Sequence, residues 1–227
     1  MSSRKPQAGP RPKAPAAPAD TRFRRSRELG SKDFEFACAI IDAAHVAHVG
    51  FTLEGWPYVT PMAVARDGGS LLIHGSVLSR LMKSLADGLP CCVTITHLDG
   101  LVLARSAFHS SMNYRSVMVF GQAVAVTDAE EKSRGLDLLT DHLLPGRRAE
   151  LRESTRKELN ATLLLRLPIE RFSVKTRTGP PDDPKAERDT PVWAGVVPLE
   201  VRAGKPEAAP DMPAGIPLPR YLRSGSR

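Results

Sequence analysis

The chain of 227 residues has a formal net charge of +7 and three cysteines, and none of its apolar stretches is long. It can bury a core without disulfides, and the lack of an apolar span or secretory signal predicts a cytoplasmic protein that does not cross a membrane. Residues 1–27 hold eight Lys and Arg against one acid, so the remaining chain is formally neutral and no nucleic-acid partner is expected for it.

The two ends of the chain have compositions that cannot build a core. Residues 1–28 are basic and rich in Pro and Ala, and we expect them to form a disordered leader. Residues 203–227 are again rich in Pro, Gly and Ala and are predicted to form a flexible tail. A single folded domain is therefore expected over residues 29–202.

The first half of this domain has the pattern of one helix followed by short strands with tight turns. Ser31 or Asp33 can cap the helix. Glu54-Gly55 is a two-residue turn, and a run of Asp and Gly at residues 67–69 closes a second hairpin. The predicted elements are a helix over 34–44, strands over 46–53, 56–65 and 70–75, a short helix over 77–86, and strands over 91–96, 101–104 and 114–126.

The second half mixes helices and strands. Its expected elements are helices over 128–142 and 155–161 and strands over 163–167, 171–176 and 192–197. Because consecutive strands are joined by tight turns, parallel βαβ units are disfavoured. The predicted fold class is therefore mainly β, an antiparallel barrel with peripheral helices.

A first candidate binding segment lies where a strand ends at His74-Gly75 and a helix is predicted to begin near Ser76. Free amides and the positive dipole end at a helix start suit a phosphate group. Hydroxyl donors and cations follow at Ser76, Ser79, Arg80 and Lys83. The alternative is ordinary capping by Ser76, with the cations on a solvated face.

A second candidate is the polar segment 105–116, which leads into an apolar strand. Its hydroxyls, amide, imidazole and guanidinium could hold a phosphate, a ribityl chain or a ring edge. Arg115 shares a strand face with Val117 and Val119, so its charge needs an anionic partner. That partner is either a ligand or a carboxylate of the chain itself.

The cysteines and histidines suggest no further site. Cys91 and Cys92 are adjacent and point to opposite faces of a strand, and together with Cys38 they are interpreted as buried thiols in a reducing compartment. The six histidines have no metal-ligand spacing, so no metal is expected.

Two segments taken together resemble a known protein family. Residues 50–83, with their hairpins and His-Gly-Ser strand end, and residues 108–123, with an Asn-Tyr-Arg-Ser-Val run, are similar to the pyridoxamine 5′-phosphate oxidase-related proteins, in the branch that includes nitroimidazole-resistance proteins. Residues 180–183 and 191–196 are also typical of this branch, so the resemblance covers roughly residues 29–200. It implies a six-stranded FMN-binding split barrel that forms a homodimer, with FMN held between the subunits.

The resemblance also implies which residues hold the cofactor. One group contacts its phosphate, a second strand and loop close the site, and a third strand lies along the isoalloxazine ring. The implied cofactor-binding residues are Tyr58, Thr60, Pro61, Met62, His74, Gly75, Ser76, Ser79, Arg80, Lys83, Ser110, Ser111, Asn113, Tyr114, Arg115 and Ser116. His74, which resembles a histidine near the flavin with a suggested substrate role, is the catalytic candidate.

The function implied is an FMN-dependent oxidoreductase acting on a small molecule, of which a nitroaromatic compound is one example. The alternatives are a flavin-binding carrier or sensor without turnover, and a split barrel that uses the cleft for haem or a deazaflavin. The Pro-Arg-Tyr-Leu-Arg run near the C-terminus does not match the Arg-x-His-type substrate motif of pyridoxamine phosphate oxidation, so vitamin B6 chemistry is not expected.

Overall fold

The computed structural model describes residues 30–31 and 33–223 of the chain. The predicted leader, residues 1–28, and the end of the predicted tail, residues 224–227, lie outside this range. Among the described residues, no helix is both long enough and apolar enough to cross a membrane.

Ten antiparallel strands form one sheet that closes on itself as a split barrel, which confirms the predicted fold class. The strands run in the order β1-β9-β6-β5-β2-β3-β4-β8-β7, and β10 pairs with β5. Their bounds are β1 Gly30–Ser31, β2 Val46–Leu53, β3 Trp56–Asp67, β4 Ser70–Ser76, β5 Pro90–Leu103, β6 Ser111–Gln122, β7 Val124–Ala125, β8 Thr162–Pro168, β9 Phe172–Arg177 and β10 Gly195–Pro198.

The implied count of six strands is wrong. Two of the additional strands, β1 and β7, have only two residues each and pair along existing strands, so they leave little periodicity in the sequence. Strand β10 overlaps the predicted strand 192–197. The predicted strand 91–96 and its predicted continuation over 101–104 form the single strand β5, with an irregularity in the pairing between Leu98 and Gly100. The predicted strand 114–126 begins earlier, at Ser111, and divides into β6 and β7.

The first four α-helices begin at side-chain caps, of which Asp33 was one of the two predicted for the first helix. Asp33, Asp128 and Thr155 accept hydrogen bonds from the first turns that follow them. The helices are α1 Phe34–Asp42, α2 Arg80–Ala86, α3 Ala129–Leu143, α4 Arg156–Ala161 and α5 Arg220–Arg223.

Helix α2 starts later than predicted. The expected start near Ser76 is wrong, because the backbone N–H of Val77 donates to Ala161 O at 3.0 Å and keeps this part of the chain beside α4. Ser79 is the N-cap instead, with its hydroxyl oxygen 3.3 Å from Met82 N.

The core lies on both sides of the sheet. The larger cluster fills the barrel between the strands, α1 and α2, and includes Leu71 and Ile73 of β4. A smaller cluster lies outside the barrel under α3 and includes Leu72 and Leu164. Strand β4 is therefore buried on both faces, with its side chains alternating between the two clusters.

Helix α3 covers only part of the outer surface of the barrel. On β2, β3, β5 and β6, beyond the part that α3 covers, the side chains that point away from the core are exposed or half-buried, and we call this surface the outer sheet face. It includes Val46, His48, Val59, Pro61, Thr94, Thr96, Leu98, Tyr114, Ser116 and Met118.

Candidate functional site

Tyr58 and Arg80 are the predicted site residues that the structure brings into direct contact. The guanidinium carbon of Arg80 lies 5.2 Å from the centre of the Tyr58 ring. On its other flank, Tyr58 stacks on Phe51 of β2, with centroids 5.3 Å apart and an angle of 15° between the planes. The Tyr58 ring therefore holds Arg80 at the end of the barrel that α2 covers.

Arg80 and Lys83 are both exposed and lie one turn apart on α2. Within the part of the chain that the structure describes, neither makes an ion pair. Two unpaired cations on one helical turn attract an anion, and a guanidinium can bind a phosphate through two parallel hydrogen bonds.

The hydroxyl oxygens beside these cations already accept backbone hydrogen bonds. Ser76 Oγ accepts from Leu78 N at 3.1 Å, and Ser79 Oγ accepts from Met82 N. Each hydroxyl still has its own hydrogen to donate. Both serines therefore help to shape the local backbone, and they can also contribute one donor each to an anion at Arg80.

Gly75 is required by the packing beneath this cluster. A Cβ atom at Gly75 would lie 2.8 Å from Cγ of Met82 and 3.8 Å from Cε of Met62. Tyr58, Thr60 and Met62 point into the barrel, since they pair with the inward residues of β2. Pro61 points the opposite way, onto the outer sheet face.

His74 lies on the other side of β4 from Gly75, facing the side on which α3 packs. Its ring is half-buried, and the buried Nδ1 atom has no hydrogen-bond partner among the described residues. Burial lowers the pKa of the His74 imidazole below its usual range, so the ring is neutral near pH 7. Its predicted catalytic role stays a prediction.

The His74 pKa shift predicts a pH dependence of stability. An unfolded chain protonates this histidine below about pH 6.5, whereas the folded chain resists protonation until a lower pH. The free energy of unfolding should therefore fall as pH drops from about 6.5 towards the folded-state pKa, and this group should contribute no pH dependence above that window. Urea unfolding at pH 7.5 and 5.5 should show a smaller loss for His74→Gln than for the unmodified chain. Equal losses would exclude this role.

On β6, the charge of Arg115 is satisfied within the chain. Its Nε and Nη2 atoms lie 2.9 and 2.8 Å from the two carboxylate oxygens of Asp99. Hydrogen bonds from the Arg115 guanidinium lower the pKa of Asp99. Of the two predicted partners for Arg115, a ligand or a carboxylate of the chain itself, the structure contains the carboxylate, Asp99.

Several other predicted residues of this segment also bond within the chain. Asn113 is buried, donates to Gly179 O at 3.1 Å and accepts from Arg177 at 2.7 Å. Ser116 shares a 2.9 Å hydrogen bond with Thr96. Ser110 Oγ donates to Ser106 O at 3.0 Å and accepts from Ala104 N at 3.1 Å.

The predicted residues of β6 therefore divide by face. Asn113 and Arg115 lie on the same face as the core residue Val117. Tyr114 and Ser116 lie on the outer sheet face, and Ser111 is exposed at the start of the strand.

The Asn113 contacts predict a structural effect. Asn113→Ala leaves Gly179 O and the Arg177 guanidinium without this partner, so the free energy of unfolding should fall by about 1–3 kcal/mol. Ser111→Ala, at an exposed position of the same strand, is the control and should change stability by less than about 0.5 kcal/mol. Denaturant unfolding measures both, and an Asn113→Ala chain as stable as the unmodified one would contradict this assignment.

Within one chain, the two predicted segments do not converge. Strands β4 and β6 are separated by β3, β2 and β5 in the sheet, which is four strand spacings or roughly 19 Å along its surface. The residues around Arg80 and those around Tyr114 are therefore separate surfaces of one subunit.

Sequence reasoning missed three contributors to these surfaces. Phe51 was assigned only to a strand, although an aromatic residue opposite Tyr58 in a hairpin is a recognisable stacking pair. Asp99 was interpreted as part of a turn. Asp183 is buried and accepts from the backbone N–H and Nη1 of Arg105, at 2.9 and 2.8 Å, a long-range contact without a local signal.

Two of the three cysteines are buried thiols, as predicted. Cys38 and Cys91 are buried, and burial raises the pKa of Cys91 to about 11. Cys92 points the other way and is half-buried on the outer sheet face.

Comparison with known proteins places the chain among the split-barrel proteins that this sheet defines. A family model described as pyridoxamine 5′-phosphate oxidase matches residues 34–176, and the chain belongs to that family. No curated protein matches the chain.

Two solved structures are similar over nearly their whole length. The FAD and heme binding protein from Mycobacterium smegmatis is 43% identical, with 87% of this chain and 97% of that one covered and a TM-score of 0.84. The flavocytochrome Anf3 from Azotobacter vinelandii is 38% identical, with 93% and 99% covered and a TM-score of 0.86. A Bacteroides thetaiotaomicron protein assigned to 5-nitroimidazole antibiotic resistance is 24% identical, with 65% and 86% covered and a TM-score of 0.55, which supports the fold alone.

Proposed function

We propose that this chain is a flavin-binding protein that also binds haem and acts as a homodimer. The observation that carries the flavin assignment is the pair of unpaired cations, Arg80 and Lys83, beside the stacked ring of Tyr58. In this cluster the Tyr58 ring, which stacks on Phe51, positions the Arg80 guanidinium, and the two cations supply the charge that a phosphate needs. The names of the two relatives at 43% and 38% identity support a flavin and a haem in this family branch.

FAD is the flavin that we expect, and FMN, implied by the sequence resemblance, is the alternative. The Mycobacterium smegmatis relative is named for FAD. FAD carries two phosphates and FMN one, so Arg80 and Lys83 would each have a phosphate to bind with FAD. Ser76 and Ser79 would add hydroxyl donors to the same group.

The homodimer would complete the flavin site. One subunit leaves the outer sheet face uncovered, and its Val59 side chain is 67% exposed. Tyr114, Ser116 and Pro61 lie on this face, as the implied site between subunits requires. A second copy packed there would bring these residues towards the Arg80 cluster of its partner. Light scattering should give a dimeric mass, and a monomeric mass would count against this arrangement.

His74 is the residue that we assign to a haem iron. A neutral imidazole is the form that binds a metal, and burial keeps His74 neutral. A buried ring nitrogen without a partner is costly in a complete structure, and a bound group is one way to satisfy it.

The chemistry would come from the cofactors. A bound flavin supplies hydride or electron transfer, and the protein positions it and excludes water. The residues described above bind and orient, and none of them is required as an acid or base. A small oxidised molecule, such as a nitro compound, is the proposed substrate class.

The proposal is tested by titrating the cofactor-free chain. FAD and FMN should each quench or shift flavin fluorescence on binding, with FAD binding more tightly, and added haemin should give a Soret band. Reduced flavin on the protein should then turn over a nitro compound. Absence of flavin binding would reject the proposal, and binding without turnover of any small oxidant would favour the carrier or sensor.

A further inference from the structure

The C-terminal arm, which we define as residues 199–219, is attached to the domain at both ends. At its start, Leu199 N donates to Asp99 O at 3.1 Å, directly after β10. Just beyond its end, the hydroxyl of Tyr221 donates to Glu150 at 2.6 Å, and the Tyr221 ring packs against Gly146. The course of the arm is therefore fixed by the fold at two distant places.

Between these attachments, the arm runs along the surface of the domain. Every residue from 199 to 218 is exposed, and the arm contains no helix or strand. A segment of this length without secondary structure is uncommon inside a compact domain, where such segments are either functional or linkers. The attachment of this arm at both ends distinguishes it from a free linker.

The composition of the arm favours contact with another surface. Val201 is 94% exposed, and Met212 and Ile216 are about half exposed. Five prolines lie in the same segment and restrict the conformations of the free arm. The loss of conformational entropy when the arm binds another surface is therefore smaller. Arg202 and Glu200 bond to each other, so this pair needs no polar partner elsewhere.

The point where the arm leaves the domain indicates its partner. Asp99, which holds Leu199, follows Leu98 of the outer sheet face, so the arm begins at the edge of that face. In a twofold dimer built on this face, the arm of each copy starts at the rim of the interface. The uncovered apolar side chains of the face, Val59 and Val46 among them, match those of the arm.

We propose that the C-terminal arm packs on the surface of a second copy of this chain and so stabilises the proposed homodimer. Val201→Asp, Met212→Asp and Ile216→Asp together should raise the dimer dissociation constant at least about tenfold. Ala129→Asp, Ala186→Asp and Thr190→Asp together add the same charge at exposed positions outside the arm, and they should leave the constant unchanged. Analytical ultracentrifugation measures both variants.

Cross-linking locates the contact independently of cofactor content. In a mixture of isotope-labelled and unlabelled full-length chains, an amine-reactive cross-linker should join Lys205 of one chain to lysines of the other. An unchanged dissociation constant in the arm variant, or links from Lys205 within single chains only, would overturn the arm proposal. A monomeric unmodified chain would overturn both the arm and the homodimer, whereas loss of flavin binding alone would leave the arm intact.

Discussion

Replacing Arg80 and Lys83 together by alanine is expected to weaken flavin binding by about ten- to a hundredfold. Hydrogen bonds to charged groups contribute about 1.5–3 kcal/mol each in favourable settings, which sums to about 3–6 kcal/mol for two contacts. Because both side chains are exposed, the combined effect falls below this sum, to about 1.4–2.7 kcal/mol, which corresponds to the ten- to hundredfold loss. The unpaired state of both cations means that their removal breaks no ion pair in the described chain. Stability should therefore change little, and fluorescence titration with FAD should report the loss directly.

The matched control is Lys157→Ala with Lys185→Ala. These lysines are also exposed and make no ion pair among the described residues, so the control removes the same net charge elsewhere. A loss of affinity common to both double variants would indicate a general effect of charge. Unchanged affinity in the Arg80 and Lys83 variant would show that the phosphate does not bind at α2.

Replacing His74 by alanine is expected to abolish the Soret band of the haem-loaded protein or to shift it to that of weakly bound haem. The neutral imidazole would no longer be present to bind the iron. Flavin affinity should stay within about twofold, because His74 lies on the opposite side of β4 from the Arg80 cluster. Absorbance spectra of haemin-loaded protein measure the first effect, and FAD titration measures the second.

Added imidazole separates ligand loss from misfolding. Free imidazole should restore the Soret band of His74→Ala by entering the space that the side chain vacates. His45→Ala removes an exposed histidine between α1 and β2, where its ring contacts His142 of α3, and should keep the original spectrum. A His74→Ala protein with the unmodified spectrum would mean that another residue binds the iron.

The sequence predicted best the parts of the fold that depend on local signals. Strand β2 has the predicted bounds, and the turn at Glu54-Gly55 has φ angles of 52° and 81°, as a two-residue hairpin turn requires. The predicted helices over 128–142 and 155–161 begin at Asp128 and Thr155, which the structure shows to be the N-caps of α3 and α4.

Errors arose where distant parts of the chain determine local structure. Helix α2 begins at Arg80 because Val77 bonds to α4, which is more than eighty residues later in the chain. The short strands β1 and β7 exist because longer strands offer them an edge. Periodicity within a window carries no information on such contacts.

The candidate site was predicted in part for the same reason. Cations one turn apart on α2 follow from helical spacing, and the structure leaves both of them unpaired. The sequence could not decide whether Arg115 pairs with a ligand or with a carboxylate of the chain. Asp99 lies beside Arg115 only because β5 pairs with β6. Asn113 bonds to β9 and to the loop that follows it, and its predicted role in cofactor binding stays a prediction.

A crystal structure of the chain with bound FAD would test directly whether the flavin phosphate binds at Arg80. We expect a phosphate oxygen about 3 Å from the Arg80 guanidinium, with Tyr58 beside the cofactor and residues of the outer sheet face contributed by the second subunit. A phosphate bound elsewhere, with Arg80 still lying over Tyr58 and facing solvent, would contradict this expectation.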